Sequence, residues 1–213
     1  MTIGIGAFGR QAGAAVIAAW AEAERRAAGD LHGFAVFTVL GNDGVPTSLD
    51  CQRGGLATLR SRSPETLARL SGAAVAGVIT SGPDRPEPLS QFLAAGRIGL
   101  VTGHRLPNLA TNAGPAANRA ALDLMARGLS AKEAVRTVLD ANPDLDIGLI
   151  AVTENDLALG NSALVGERPD LGEARVIASD RRYGIGLLHN SIHPLDGLAA
   201  VVIDAGEAVL KAA

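Results

Sequence analysis

Apolar and polar positions along this chain fall into short blocks whose period keeps changing, and each change marks an element boundary. Residues 2–8 form an apolar run that reads as a strand. Residues 12–28 are alanine-rich and place Val16, Ile17, Trp20 and Ala23 or Glu24 on one stripe, which predicts a helix ending at Gly29. Residues 33–40 are β-branched and aromatic, and Gly41-Asn42-Asp43-Gly44 then turns the chain into a second strand at 45–51, a hairpin. A similar order recurs later: a strand at 97–103, helices at 115–127 and 131–141, and a hairpin of 147–153 with 157–164. Ser130 with Glu133 forms the sequence of a capping box, Ser63-Pro64-Glu65 opens a short helix, and residues 73–80 read as a further strand. A strand at 184–188 and a helix at 195–212 close the pattern.

Strands joined by such tight turns are antiparallel, which argues against a purely parallel sheet. The runs GFAVFTVL and IGLIAV lack strict alternation, as expected of strands covered on both faces. The fold class is therefore α+β. A four-layer αββα sandwich satisfies both observations, and a single mixed sheet with helices on both faces is the competitor. At 213 residues and 47% hydrophobic content, without a linker-like stretch, residues 1–213 are expected to form one domain.

Charge and cysteine content narrow the partners. The net charge of −3 is spread along the sequence with no basic run, so nucleic acid is not an expected partner. No apolar stretch reaches the roughly 20 residues that span a bilayer, and MTIGIGAFGR lacks the form of a signal peptide, so a cytoplasmic protein without membrane association is expected. Cys51 is the only cysteine, which rules out an internal disulfide and a thiolate cluster. Only Lys132 and Lys211 among the 19 basic residues are lysines, so anion recognition falls to arginine, histidine or backbone amides. Alanine-rich surfaces also admit a homo-oligomer.

Four polar stretches follow apolar runs, the usual way in which a rigid sheet presents chemistry. In CQRGG (51–55), Arg53 stands beside a glycine pair that permits close approach, while Cys51 suits burial as a small hydrophobe. SGPDRPEPLSQF (81–92) places Ser81, Asp84, Arg85 and Glu87 in a proline-stiffened loop, either a preorganised ligand or subunit contact or a surface turn with an internal Asp84 ion pair. GLVTGHRLPN (99–108) carries His104, Arg105 and Asn108. LHNSIHP (188–194) carries His189, Asn190 and His193. His104 and His189, each just beyond a strand, would converge if those strands are neighbours, as catalytic or substrate-binding groups or as structural hydrogen-bonding histidines. His189 and His193 straddle a loop rather than a helix, so no metal site is expected, and no cofactor. Gly4, Gly6 and Gly9 spell a GxGxxG, but the first two lie inside the strand and Asp30 precedes the second strand, so a dinucleotide loop is not expected. The helix start at residues 11–14 remains a candidate anion seat.

Across nearly its full length, through QRGG, SGPDRPEPLSQF, GLVTGHRLPN, RPDLG (168–172) and LHNSIHP, the chain resembles a bacterial family defined as a domain of unknown function. Residues 118–164 also resemble a segment of N-terminal-nucleophile amidohydrolases: a helix ending ARGLS, a capped helix, a turn, a strand and a hairpin. The second resemblance implies the αββα fold and a hydrolase acting on an amide or lactam-like bond of a small anionic metabolite. It also gives Thr2 a role, because loss of Met1 would join a hydroxyl nucleophile to a free α-amine base on one residue. Arg10 or Arg53 would then have to supply the positive charge that depresses the amine's pKa. Thr2, His104 and His189 are the expected catalytic residues; Arg53, Ser81, Asp84, Arg85, Arg105, Asn108, Asn190 and His193 are the expected substrate contacts. Two alternatives stay open: a non-catalytic metabolite-binding or subunit protein, and a histidine-dependent isomerase or lyase that does not need Thr2.

Overall fold

In a computed structural model the chain is described over residues 1–29, 31–41 and 43–213. Asp30, and Asn42 of the expected hairpin turn, lie outside the described residues. The strands are β1 (Thr2–Phe8), β2 (Phe34–Leu40), β3 (Pro46–Cys51), β4 (Val75–Ser81), β5 (Ala94–Gly96), β6 (Gly99–Arg105), β7 (Ile147–Val152), β8 (Leu157–Asn161), β9 (Leu171–Ile177) and β10 (Gly184–Asn190). The helices are α1 (Ala12–Arg26), α2 (Gly55–Arg60), α3 (Pro64–Ser71), α4 (Ala117–Ala126), α5 (Ala131–Asp140), α6 (Ala163–Gly166) and α7 (Leu198–Ala212).

Two antiparallel sheets result, one ordered β3-β2-β4-β1-β10-β9 and the other β5-β6-β7-β8. Three apolar clusters separate four layers. One lies between the larger sheet and α1 with α7, built on Ile3, Ile5, Trp20, Phe37, Ile185 and Val202. A second fills the space between the sheets, with Phe8, Phe34, Ile79, Leu100, Ile150 and Leu188. The third joins the smaller sheet to α4 and α5 through Val101, Leu122, Met125, Val135 and Leu149. The fold is therefore the αββα sandwich, and the single mixed sheet is excluded by the two separate ladders.

Strand alternation assigns each residue of β1 to a face. Ile3, Ile5 and Ala7 join the helix-side core, and Phe8 joins the inter-sheet core, so Thr2, Gly4 and Gly6 face the second sheet. The absent side chains matter there. A Cβ on Gly4 would lie 2.1 Å from the Gly103 carbonyl oxygen of β6, and one on Gly6 would lie 2.6 Å from Val152 Cγ2. Across the same interface the Thr102 hydroxyl donates to the Val78 carbonyl oxygen at 3.1 Å, a buried polar tie between sheets. The GxGxxG letters are thus absorbed by sheet packing. The start of α1 is no anion seat either: the Ala12 and Gly13 amides donate to the Gly9 and Ala73 carbonyls, and a Cβ on Gly13 would meet the Leu70 carbonyl at 1.8 Å.

Helix punctuation follows expectation closely. Ser130 and Glu133 form the reciprocal capping box of α5, and Ser63 caps α3 ahead of Pro64. Strand ends differ. The strand expected at 97–103 runs over Gly99–Arg105, and that expected at 184–188 extends to Asn190, because the polar residues at their ends are buried between layers rather than released into loops. The edge strand β9 was not foreseen: its GEAR centre is polar, and pairing with β10 is what holds it extended. Among the described residues no helix is long and apolar enough to cross a membrane.

Replacing Gly4 by Ala should destabilise the protein by about 1–3 kcal/mol or more, through forced separation of the two backbones. Gly166, with nothing within 4 Å of an added Cβ, supplies the control. Urea denaturation should show a large loss for Gly4→Ala and none for Gly166→Ala; equal midpoints would remove the sheet contact as a constraint.

Candidate active site

At the N-terminal end of β1, three neighbouring strands bring Ser81, Thr2 and Asn190 into one row, since Thr2 pairs with Ser81 of β4 and with Asn190 of β10. Residues directly opposite in an antiparallel pair share a face, so all three point toward the second sheet. Each is buried. From that sheet His104 points back, two residues beyond Thr102 on the same face of β6. Its ring lies over Gly148 of β7, where a Cβ would come 2.2 Å from the imidazole, and its Nε2 is 2.7 Å from Asn161 Oδ1. As an acceptor, that amide oxygen calls for the proton on Nε2, which leaves Nδ1 an acceptor. Among the described residues Nδ1 is buried without a hydrogen-bond partner, as is Asn190 Oδ1.

Arginines frame this row. Arg85 reaches in from the proline-rich loop, with Nη2 3.4 Å from Thr2 Oγ1. Arg105 ends β6 in the left-handed region, at φ 63°, and binds Asp146 through Nε and Nη2. Ser191, at φ 54°, follows β10 and donates its hydroxyl to Asp170, which Arg168 also holds. Non-glycine residues at positive φ next to a polar cluster are a common mark of functional sites.

These charges act on the amine of Met1. Burial lowers its pKa first, then Arg85 and Arg105, while Asp170 pulls the other way. Arg85 and Arg105, rather than Arg10 or Arg53, are the cations acting on the Met1 amine; Arg53 is 80% exposed and committed to Asp84 at 2.7 Å. His104 is pushed down to about 4, chiefly by burial, with Arg105 adding to the shift and Asn161, Asn190 and Asp146 opposing it. His189 is also lowered to about 4, by burial and then by His104, against Asp170.

The remaining expected residues separate. His189 pairs with Ile3, so its side chain lies on the helix-side face, against Gly172 of β9 and away from Thr2 and Asn190. Because the strand extends through Asn190, adjacent residues point to opposite faces, which parts His189 from Asn190. His104 and His189 do not meet as neighbours: β6 and β10 belong to different sheets. His193 is exposed, with its backbone carbonyl accepting from Ala28. Arg53 and Asp84 line a surface cleft of about 490 Å³ with His32, Gly33, Gly82 and Pro83. Asn108 lies in another cleft, of about 460 Å³, where its amide donates to Gln91 Oε1 at 2.8 Å. Cys51 is half-buried, and burial raises its pKa.

Two residues that serve this region escaped the sequence reading. Asn161 orients His104 from the end of β8. Gln52, beside the favoured Arg53, holds Arg85: its Nε2 donates to the Arg85 carbonyl at 2.6 Å and its Oε1 accepts from the Arg85 amide at 3.0 Å. The QRGG motif pointed at Gln52; nothing local marks Asn161, which is placed by pairing with Gly148.

Residues 2–213 match the family described as Domain of unknown function (DUF6963). The chain belongs to that family. No curated protein matches this member of DUF6963. Among solved structures it is similar to a glutamine phosphoribosylpyrophosphate amidotransferase from B. subtilis complexed with ADP and GMP, at 11% identity and a TM-score of 0.46, over 95% of this chain. The match takes in 43% of that protein, so the chain spans less than half its length.

The two depressed histidines set an acid limit on stability. A group that binds its proton more weakly when folded contributes stability that is present above its unfolded pKa, near 6.5, and is lost as pH falls toward about 4. Unfolding free energy should therefore drop between pH 6.5 and 4, with a slope of up to about 1.4 kcal/mol per pH unit for each histidine. His189→Asn should flatten that slope by roughly half in urea titrations across this range; an unchanged slope would show that His189 titrates normally.

Proposed function

We propose that this protein is a hydrolase opening an amide or lactam-like bond in a small anionic metabolite, with Thr2 as the nucleophile after Met1 is removed. One observation carries the reading: the Thr2 hydroxyl heads the central strand inside the polar row, 3.4 Å from a guanidinium nitrogen. The charges that already depress the Met1 amine would act on an amine at Thr2, favouring the free base near neutral pH. That amine takes the hydroxyl proton as Oγ1 attacks the substrate carbonyl carbon. Negative charge builds on the carbonyl oxygen, opposite the Asn190 side-chain amide. Collapse expels the leaving nitrogen, which receives the proton from the ammonium group. Water then attacks the Thr2 ester, with the amine again as base, and releases the acid. His104, neutral at this pH and fixed by Asn161, forms the facing wall and accepts a hydrogen bond from substrate. His189, on the other face of β10, takes no part in the chemistry.

A histidine-dependent isomerase or lyase is favoured by a different feature, the unpartnered Nδ1 of His104. The two readings separate cleanly. Intact-mass spectrometry should find the chain without Met1, and on a panel of N-acyl amino acids and lactams Thr2→Ala should lower kcat by about a thousandfold or more. His104→Ala should cost about tenfold to a hundredfold. Retained Met1, or Thr2→Ala at wild-type turnover, would end the nucleophile reading, and the reverse ranking of the two variants would favour histidine chemistry.

A further inference from the structure

Among the described residues several arginines bind a carboxylate side-on, Arg25 doing so through Nε and Nη2 to Glu22. Arg53, Arg105 and Arg168 each turn the same edge of the guanidinium, Nε and Nη2, onto an aspartate: Asp84, Asp146 and Asp170. That side-on fork matches two carboxylate oxygens in one plane. Arg85 carries the same edge without an aspartate. Its Nε is shielded from solvent and has no acceptor among the described residues, and its Nη2 has only the long contact to Thr2 Oγ1.

An arginine held half-buried without a counter-ion is costly, because desolvation is not offset by a paired charge. This one is nevertheless held deliberately. Gln52 grips its backbone amide and carbonyl together, and the Arg53–Asp84 pair braces the residue before it. Burial and then the nearby Arg105 lower the Arg85 pKa, with Asp146 opposing them from beyond ion-pair distance, and a guanidinium stays charged at any physiological pH.

The geometry points to a carboxylate seat: the substrate is a carboxylate-bearing amide, bound side-on through its carboxylate to the Nε and Nη2 edge of Arg85, with Gln52 as the positioning residue. The inference rests on the reading above in taking Met1 as removed, since Met1 stands close enough to Arg85 for that charge to depress its amine. A carboxylate fits better than a phosphate. The charge of Arg105, the cation that acts on Arg85, is already matched by Asp146, so the seat offers one positive charge without an ion pair and one planar fork.

The test uses the Thr2→Ala protein prepared to begin at residue 2, the mature form in this reading, so that binding is read without turnover. Arginine Nε–Hε resonances are followed by NMR, the Arg85 signal being assigned by its loss in Arg85→Lys. Acetate should shift that signal saturably, acetamide should not, and inorganic phosphate should bind more weakly than acetate. Arg85→Lys, which keeps the charge and loses the fork, should weaken acetate by about tenfold or more, read in that variant from the side-chain amide signal of Gln52, which is bonded to residue 85. Gln52→Ala should weaken it severalfold and broaden the Arg85 signal, while Gln52→Glu, which still accepts from the Arg85 amide, restores part of the loss. No saturable shift with acetate, tighter binding of phosphate, or unchanged acetate affinity in Arg85→Lys would each overturn the seat. Acetate binding beside an inert Thr2 would sink only the nucleophile; an active Thr2 without acetate binding would sink only the seat.

Discussion

The close approach of two backbones, Gly4 of β1 and Gly103 of β6, is the constraint on which the rest depends. Neither position has room for a methyl group: the added Cβ of Gly4 would press on the Gly103 carbonyl, and that of Gly103 would come 1.9 Å from the Gly148 carbonyl oxygen. Bulky residues farther along, Phe8, Ile79, Leu100 and Ile150, fill the gap between the sheets by ordinary apolar packing. At the N-terminal end of β1 the filling changes. Glycines let the sheets touch, and nearby Thr2 and His104, on the facing sides of the two sheets, are buried between them.

That contact explains why polar groups are buried where they are. Thr2, Ser81, His104 and Asn190 sit in an interior where an unsatisfied polar atom costs about 1–3 kcal/mol. Much of the surrounding structure offsets this cost. Asn161 serves His104, the Pro83 carbonyl accepts from Ser81, and Ser191 lies within reach of the Asn190 amide. Among the described residues, three of the buried side-chain atoms that stay unpartnered, His104 Nδ1, Asn190 Oδ1 and Arg85 Nε, belong to residues at this end of the sheets, and the others, on Trp20, Asn108 and His189, lie outside it. Two acceptors and one cationic donor complement a ligand that carries both an N–H group and an anion, which is the chemistry of a carboxylate-bearing amide.

Local sequence was a good guide to helices and hairpins because their signals are local. Ser130 with Glu133 and Ser63 with Pro64 act within one helical turn, and β2 with β3 pairs across a short turn. The αββα layering could be read because uniformly apolar strands need cover on both faces. Strand ends were harder. A polar residue after an apolar run looks like a loop, and whether His104 or Asn190 remains in the strand depends on a second sheet that only tertiary packing supplies. Moving those ends by two residues decides which side chains share a face, since it sends Asn190 toward Thr2 and His189 away from it. Asn161 and the Gln52 grip on Arg85 are long-range pairings without a local pattern. The QRGG and PDR stretches were recognised as polar and rigid, but their docking on each other, Gln52 to Arg85 and Arg53 to Asp84, emerges only when β3 and β4 flank β2.

The central claim is that one hydroxyl, at Thr2, is activated by the charges gathered around it. Treating the mature protein with a hydroxyl-reactive β-lactone and mapping the adduct by peptide mass spectrometry tests this most directly. The account predicts one ester-linked adduct per chain, on Thr2, with Cys51 left unmodified because burial keeps its thiol protonated. An adduct confined to Cys51 or to surface residues, with Thr2 untouched, would contradict it.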